Sequence, residues 1–390
     1  MLPPESSLAI TLHLSRQGRV ERVEIGSDRL VRASDGLTGR KPEQVLAFLP
    51  TLYSLCGTAQ GLAGLRAVET AAGIDAPPAQ RMARHALGLA ESLTEHAASV
   101  FRDWPALLGE APDLAAVKPL RPLITAMRKA LYPDGDWARP GGGRLAPDHH
   151  ALDEILRRFE DTLNRLLSGP PEERLDEYSD FRAWVAHGGS PASRLLRRLD
   201  DQDMAGFGHC PPCLMPELGP HDLEERLGAD GDGAYRARPD CHGRVFETGP
   251  LASHQTHPLV VALMAEHGCG LSSRFAARLV DMATSLRELE ELVQDLCADS
   301  GGLAIARADG TGLGLVDAAR GLLAHWVELR EGVLSGYRIL APTEWNFHPE
   351  GPLAQGLLGA WGPDLEAKAR LLAASLDPCV PFRIEVRGHA

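Results

Sequence analysis

The spacing of hydrophobic residues changes within the first fifty positions of the chain. Apolar and polar residues alternate from Leu8 to Leu14, and the alternation resumes after Gly18, so residues 1–30 are predicted to form a β-hairpin. From position 42 the apolar spacing becomes helical, which predicts a helical core over residues 42–199. The chain is therefore expected to begin with a small β element and to continue as a set of amphipathic helices.

Two features of the first helical region lead to specific expectations. Pro50 lies inside the apolar pattern, and because proline lacks the N–H that a helix interior needs, we expect it to separate two helices. Gly57, Gly61 and Gly64 follow about one helical turn apart. Because glycine lowers helix propensity, this spacing predicts close backbone approach to another element or to a ligand.

The second half of the chain combines a loop segment with mixed structure. Residues 200–255 contain "GHCPPC", "GADGDGAY" and "PDCHG", whose turn residues predict an irregular segment. Residues 256–390 are predicted to contain a long helix, a small β segment and a C-terminal helix. Together these patterns predict a single, mostly helical α+β domain that spans residues 1–390.

Composition narrows the functional class. The 390 residues carry a formal net charge of -13 without a basic run, which argues against nucleic acid as a partner. No uncharged apolar run approaches the roughly 18 residues that a membrane helix needs, and the N-terminus lacks a secretory signal pattern. We therefore expect a cytoplasmic protein with no membrane segment, in which the seven cysteines are reduced.

The "HCPPC" motif is the best local cysteine pattern. Cys210 and Cys213 have the Cys-x-x-Cys spacing of a zinc site or a redox dithiol, and Cys241 with His242 or His209 could complete four zinc ligands. A second Cys-x-x-Cys pair is missing from the sequence. Three interpretations therefore stay open: a structural zinc site, a redox pair and unligated loop thiols.

The other cysteines form no local motif. Cys269 and Cys297 lie in or beside an apolar helical pattern, which predicts ordinary core packing. Taken alone, Cys56 and Cys379 are each predicted to be buried structural cysteines. Neither composition nor periodicity connects these two positions.

Two motifs that contain Cys56 and Cys379 resemble known metal-binding sequences. The stretch "LYSLCGTAQGLAGLRAVETA" is similar to the first metal motif of NiFe-hydrogenase large subunits, Arg-x-Cys-Gly-x-Cys-x-x-x-His. In this register Cys56 matches the second cysteine, Tyr53 the first and Gln60 the histidine. The C-terminal "DPCVPF" resembles the family's Asp-Pro-Cys-x-x-Cys-x-x-His, with Cys379 at the first cysteine and Phe382 at the second.

The resemblance extends over most of the chain. Residues 246–253 ("FETGPLAS"), 316–326 ("VDAARGLLAHW") and 341–359 ("APTEWNFHPEGPLAQGLLG") are similar to further segments of the same family, in the same order. Residues 105–230 match it poorly. The resemblance implies a large-subunit-like fold with a central helix bundle and small peripheral β-sheets.

The departures from the family pattern bear on function. In catalytic large subunits four cysteine thiolates hold nickel, and two of them bridge to an iron that carries carbon monoxide and cyanide. Tyr53 and Phe382 cannot supply soft thiolates, so we expect neither a functional nickel site nor hydrogen turnover, and the protein is not expected to be an enzyme.

This pattern is similar to that of the HupK and HoxV accessory proteins of hydrogenase maturation. The resemblance implies a scaffold on which Cys56 and Cys379 hold an iron, or an Fe(CN)2CO group, before its transfer to the hydrogenase large subunit. It also implies that the partners are other maturation factors and the large-subunit precursor. One alternative is a metal-free structural subunit like the hydrogenase-derived core subunit of respiratory complex I. Another is a zinc or redox protein centred on Cys210 and Cys213.

Further positions match the family around its metal site. Arg320 matches an arginine that overhangs the diatomic ligands, where a guanidinium can donate to cyanide nitrogen; a surface ion pair is the alternative. Asp377 precedes the C-terminal motif cysteine and is expected either to orient Arg320 or to cap the turn. Gln60 would lie beside the iron group, and Glu5 and Glu95 are the remaining candidates.

Overall fold

Helices make up most of the structure, a computed structural model that describes residues 7–53, 55–211, 214–216, 218, 220–302 and 307–388. Within these residues the helices are α1 (Pro42–Leu52), α2 (Gly57–Ala72), α3 (Pro78–Arg102), α4 (Trp104–Leu107), α5 (Leu114–Val117), α6 (Arg121–Leu131), α7 (His149–Leu167), α8 (Glu172–Leu175), α9 (Tyr178–His187), α10 (Pro191–Asp201), α11 (Pro220–Ala229), α12 (Ala234–Ala237), α13 (Pro250–Ser253), α14 (Pro258–His267), α15 (Leu271–Asp295), α16 (Pro342–Asn346), α17 (Pro352–Leu357) and α18 (Leu365–Leu376). The strands are β1 (Leu8–Leu14), β2 (Val20–Ser27), β3 (Gly310–Ala318), β4 (Gly321–Arg330), β5 (Val333–Leu340) and β6 (Phe382–Arg387), and a short 3-10 helix spans Ala33–Leu37.

The two 25-residue helices, α3 and α15, form the centre of the hydrophobic core. Leu87 and Leu93 on α3 and Leu279 on α15 are completely or almost completely buried in the same apolar cluster. The rings of Trp104 and Phe275 meet edge to face with centroids 4.9 Å apart. The C-terminal helix α18 also packs on α15, so the segment that follows it is attached to this central bundle.

The predicted N-terminal hairpin is confirmed, and a third strand, β6, pairs with it. β1 pairs antiparallel with β2, while β6 lies on the other side of β1 and pairs with it in parallel, from Leu8 opposite Phe382 to His13 opposite Arg387. The strand order is therefore β2-β1-β6. Because β6 begins three residues after Cys379, this pairing fixes the C-terminal motif against the start of the chain.

The second sheet, with strand order β3-β4-β5, lies directly against α2. Gly310, Gly312 and Gly314 alternate along β3, and a Cβ atom at any of them would overlap the backbone of α2. On α2, Gly64 has the same role, because a Cβ atom there would lie 2.5 Å from the hydroxyl of Tyr337 on β5, whereas Gly57 and Gly61 make room for Pro50 and Trp137. The close approach predicted for these glycines is therefore to protein elements, and it sets α2 firmly on the sheet.

Three expectations need correction. The chain does divide into two helices here, but the first continues two residues beyond Pro50 and ends at Leu52, because a missing N–H so near the helix end removes only one hydrogen bond. Cys297 is exposed, since the chain has left α15 two residues before it, although Cys269 is buried as predicted. The segment 200–255 is not wholly irregular: it contains α11, α12 and α13.

The missed helix α11 has a recognisable reason. Leu223 and Leu227 are spaced one turn apart and are both completely buried, but the glycine-rich sequence on either side obscured this short period. Among the helices of the described residues, none is both long enough and apolar enough to cross a membrane.

Candidate metal centre

Cys56 occupies the N-cap position of α2. A thiol at a helix N-terminus is normally activated by the free N–H groups of the first turn. Here two of those groups are already paired, because the buried Glu91 on α3 accepts from the backbone N–H of Thr58 at 2.7 Å and of Ala59 at 2.8 Å. The Glu91 carboxylate therefore caps α2 and reduces the effect that the helix dipole would have on the Cys56 thiol.

The thiol of Cys56 is held in its neutral form. Burial, together with the negative charges of Glu91 and Cys379, raises its pKa to about 12. Cys379 contributes to this shift although it lies 323 residues further along the chain. That Cys56 and Cys379 hold one iron together, as the resemblance implies, stays a prediction.

A directional hydrogen-bond chain supports Cys56. The Gln60 amide Nε2 lies 3.8 Å from the Cys56 Sγ, and its Oε1 lies 2.9 Å from Nε2 of His325, a completely buried residue on β4. Because an amide oxygen only accepts, His325 donates from Nε2, and its Nδ1 accepts from the Tyr337 hydroxyl at 2.8 Å. Burial lowers the pKa of His325 to about 3, so the ring stays neutral and the chain keeps this direction.

Cys379 lies in a charged environment. Nη1 of Arg29, in the loop after β2, is 2.6 Å from its Sγ, and the hydroxyl of Thr343 on α16 is 3.2 Å from it. The same guanidinium donates from Nε to Oε1 of Glu344 at 2.7 Å. Although burial opposes it, the charges of Glu344 and Cys379 raise the pKa of Arg29, which therefore remains a cation.

The two other motif positions do not bring a thiol to the site. Tyr53 is the C-cap residue of α1. Burial and the charges of Cys56, Glu344 and Cys379 raise its pKa to about 12, against the opposing effect of Arg29. Phe382 begins β6, where Arg370 of α18 stacks on its ring at 5.7 Å. An un-ionised phenol and a phenyl ring thus occupy the positions where the family has cysteines.

Arg320 is buried beside the thiol pair, so a surface ion pair is the wrong description. Its side chain is 9% exposed, with Nε 3.5 Å from Asp377 and Nη2 3.4 Å from Glu95. Burial acts against the charge on Arg320, but Asp377 and Glu95 raise its pKa, and Cys379 and Cys56 add to the effect. The Nε atom has no hydrogen-bond partner among the described residues.

Asp377 combines the two roles that the sequence left open. It ends α18 in the left-handed conformation with φ of 51°, and it pairs with Arg320. Burial would raise the pKa of Asp377, but Arg320 and Arg278 outweigh burial and lower it. The residue that turns the chain toward Cys379 is thus the same residue that orients the arginine. Glu5, the remaining acidic candidate, lies outside the described residues.

The second predicted metal site stays a prediction, because one of its members, Cys213, lies outside the described residues. His209 accepts the backbone N–H of Cys269 at 3.2 Å through Nδ1. In the part of the chain that the structure describes, no group of three His, Cys, Asp or Glu side chains is placed to hold a metal. The predicted members of this site are His209, Cys210, Cys213, Cys241 and His242.

Four residues of the centre escaped sequence interpretation: Arg29, Glu91, His325 and Glu344. His325 and Glu344 stand inside the quoted stretches "GLLAHW" and "APTEWN", where a polar residue between apolar ones was the available signal. Arg29 and Glu91 stand in no recognised motif. Arg29 contacts Cys379 across 350 residues of sequence, and Glu91 contacts the first turn of α2 next to Cys56. Only the tertiary fold creates these contacts.

Comparisons with known proteins agree with this architecture. The family described as nickel-dependent hydrogenase matches residues 223–380. The hydrogenase expression/formation protein HupK of Rhizobium leguminosarum bv. viciae is 31% identical over 90% of this chain and 89% of its own length. The hydrogenase expression/formation protein HoxV of Cupriavidus necator is 31% identical over 97% of this chain and 96% of its own length.

Solved structures confirm the large-subunit-like fold. The oxidised Ni-Fe-Se hydrogenase of D. vulgaris Hildenborough superposes with a TM-score of 0.70 over 96% of this chain and 98% of that chain, at 16% sequence identity. At this identity the likeness concerns the fold alone. Together with the two relatives above, it leads to one assignment. The chain belongs to the family of hydrogenase expression/formation proteins that includes HupK and HoxV.

Proposed function

We propose that the protein is a non-catalytic scaffold of NiFe-hydrogenase maturation. It holds one iron, as an Fe(CN)2CO group, between Cys56 and Cys379, and passes it to the hydrogenase large-subunit precursor with the help of other maturation factors. The observation that carries this proposal is that both motif cysteines are partly buried thiols with a polar side chain at the sulfur, Gln60 at Cys56 and Arg29 at Cys379. No functional nickel site is expected, because Tyr53 and Phe382 replace the other two thiolates of the family motifs.

The chemistry of the donor set supports this cargo. Two thiolates are soft ligands suited to an iron that also carries carbon monoxide and cyanide. An Fe(II) ion with two cyanides is neutral, so adding two thiolates makes a dianion, and Arg320 and Arg29 supply two buried cations beside it. The free N–H of Arg320 at Nε is also a suitable donor to cyanide nitrogen.

The number of thiolates favours transfer. With two thiolates the centre would lack the nickel that shares the bridging thiolates with the iron in catalytic subunits, so the iron would be held by two protein sulfurs alone. Because the unloaded Cys56 thiol is neutral, a proton can reoccupy its sulfur when the iron leaves. A carrier needs this reversibility, whereas a catalytic subunit must retain its metals.

Infrared spectroscopy tests the proposal. The full chain is co-expressed anaerobically with the factors that make cyanide and carbon monoxide, purified, and examined for cyanide and CO stretching bands. We expect bands in the wild-type protein, and their loss in Cys56→Ala and in Cys379→Ala. Cys297→Ala is the matched control, because this thiol is exposed and lies outside the centre.

The outcome that would overturn the scaffold is equally specific. If both cysteine variants keep the bands at wild-type intensity and still support hydrogenase maturation in cells, the iron is not held by these sulfurs. If the wild-type protein carries bands that disappear when it is mixed with large-subunit precursor, and appear in that precursor, the transfer step is supported as well.

A further inference from the structure

The guanidinium of Arg29 is shared between a sulfur and a carboxylate. Its Nη1 is 2.6 Å from the Cys379 Sγ, and its Nε donates to Glu344 Oε1 at 2.7 Å. Both side chains are largely buried, with 18% of Arg29 and 7% of Glu344 exposed. This pair ties the loop after β2 to α16 directly over the sulfur.

The Glu344 carboxylate has a second oxygen that can accept a further hydrogen bond. Oε2 of Glu344 is buried and has no hydrogen-bond partner among the described residues. Buried carboxylate oxygens are normally paired, and arginine commonly engages both oxygens of a carboxylate at once. A rotation of the Arg29 guanidinium into a two-oxygen pairing would satisfy Oε2 and withdraw Nη1 from Cys379. Arg29 therefore has an alternative hydrogen-bonded position, on both oxygens of Glu344.

The Cys379 sulfur cannot accept a hydrogen bond from Arg29 and bind a metal ion with full strength at the same time. An N–H donor on Sγ uses a lone pair that a metal ion would need, and the arginine cation repels any positive ion that approaches the same atom. A bare divalent cation meets the full repulsion. An iron that already carries two cyanides brings no net charge, so the arginine does not oppose it electrostatically.

We infer that Arg29 guards Cys379 against bare divalent cations and releases the sulfur to an iron whose charge is already cancelled by anionic ligands, at which point Glu344 takes the guanidinium with both oxygens. Arg29 is thus a specificity-determining residue and Glu344 is its alternative partner. The exclusion of bare cations stands on the geometry alone. The release step rests on the proposed function.

Cobalt binding to the unloaded protein tests the guard. Co2+ is titrated anaerobically into the metal-free full chain, and the sulfur-to-cobalt charge-transfer absorption is recorded. The contribution of this site is the part of the absorption that is lost in the matching Cys379→Ser protein, which removes the signal of the other cysteines. We expect Arg29→Gln to bind Co2+ at least tenfold more tightly at Cys379 than the wild-type protein does.

Three further variants complete the design. Arg32→Gln is the matched control, since Arg32 lies in the same segment but pairs with Asp35 at the surface, and its cobalt affinity should equal that of the wild type. Arg29→Lys keeps the charge and should stay within twofold of the wild type. Glu344→Gln leaves the arginine charge uncompensated and should bind Co2+ at least threefold more weakly.

The inference is overturned if Arg29→Gln binds Co2+ at Cys379 no more tightly than the wild type. If that variant does not fold, Glu344→Gln decides: an unchanged cobalt affinity overturns the inference, and a weakened one supports it. This assay needs neither cyanide nor carbon monoxide. Its failure is therefore distinguishable from a failure of the scaffold, which only the infrared experiment reports.

Discussion

The two halves of the candidate centre differ in how they hold a sulfur. Cys56 sits at the start of a helix that is packed on a sheet, beside the neutral chain Gln60, His325 and Tyr337. Cys379 follows a tight turn and contacts Arg29. The sulfur of Cys56 has a neutral amide as its hydrogen-bond partner, with the Glu91 carboxylate behind it on the first turn of α2, whereas the sulfur of Cys379 contacts a cation that is itself paired with Glu344. This contrast suggests one fixed anchor and one ligand that can be engaged and released.

The backbone shows the same contrast. Around Cys56 the positions of α2 and β3 are fixed by glycines that leave no space between helix and strand. Around Cys379 the chain turns through Asp377 in a left-handed conformation, which is unfavourable for a residue with a side chain and is stabilised here by Arg320.

The largest effect is expected from removing His325. His325→Ala leaves a cavity and deprives both the Gln60 amide oxygen and the Tyr337 hydroxyl of their partner, so we expect the free energy of unfolding to fall by roughly 4 kcal/mol. Tyr337→Phe, which removes only one hydroxyl, should lower it by about 1 kcal/mol. Denaturant unfolding measures both. Equal losses for the two variants would mean that the network does not hold the Cys56 half together.

The same histidine makes stability depend on pH. Its pKa is about 3 in the folded protein and near its ordinary value of 6.5 in the unfolded chain, so only the unfolded chain binds the proton between these values. The stabilisation is present above pH 6.5 and is lost as the pH falls toward 3, by about 2 kcal/mol between pH 7 and pH 5. In His325→Gln this part of the pH slope should vanish, and an unchanged slope would contradict the assignment.

Prediction from the sequence succeeded where motifs are local and failed where contacts are distant. The hairpin, α15 and α18 follow from short periodic patterns. Motif resemblance singled out Cys56, Cys379 and Arg320, whose role as a metal site stays a prediction. The parallel pairing of β6 with β1 has no such pattern, because it joins the two ends of the chain and one strand of six residues carries no partner information.

The same reason explains the missed side chains. Arg29 and Cys379 are 350 residues apart, and His325 and Gln60 are 265 residues apart. A charged residue in a loop is expected to be solvated unless its partner is known, so nothing in the sequence indicated that Arg29 is buried against Cys379. Glu95 was named without a partner, and its role beside Arg320 became evident only when α3 was placed beside the C-terminal segment.

A smaller effect is expected at Glu91, whose carboxylate caps α2 and whose charge also affects the reactivity of Cys56. Glu91→Gln removes a negative charge that raises the pKa of Cys56, so this pKa should fall and alkylation of Cys56 by iodoacetamide at pH 9 should become at least threefold faster. Mass spectrometry of the Cys56 peptide measures the rate. Glu95→Gln is the control, because this carboxylate contacts Arg320. An unchanged rate in Glu91→Gln would show that burial alone keeps the thiol neutral.

The smallest effect is expected at Thr343, on the charged half. Its hydroxyl lies 3.2 Å from the Cys379 Sγ, but a neutral hydrogen bond adds only about 1 kcal/mol where a guanidinium already contacts the same sulfur. Thr343→Val should therefore change cobalt affinity at Cys379 less than threefold, against at least tenfold for Arg29→Gln. Thr343→Ser, which keeps the hydroxyl, is the control. A tenfold change in cobalt affinity for Thr343→Val, with no change for Thr343→Ser, would show that the hydroxyl and not the arginine determines metal binding at Cys379. Both cysteines would then depend on neutral hydrogen bonds, and the contrast between the two halves would be wrong.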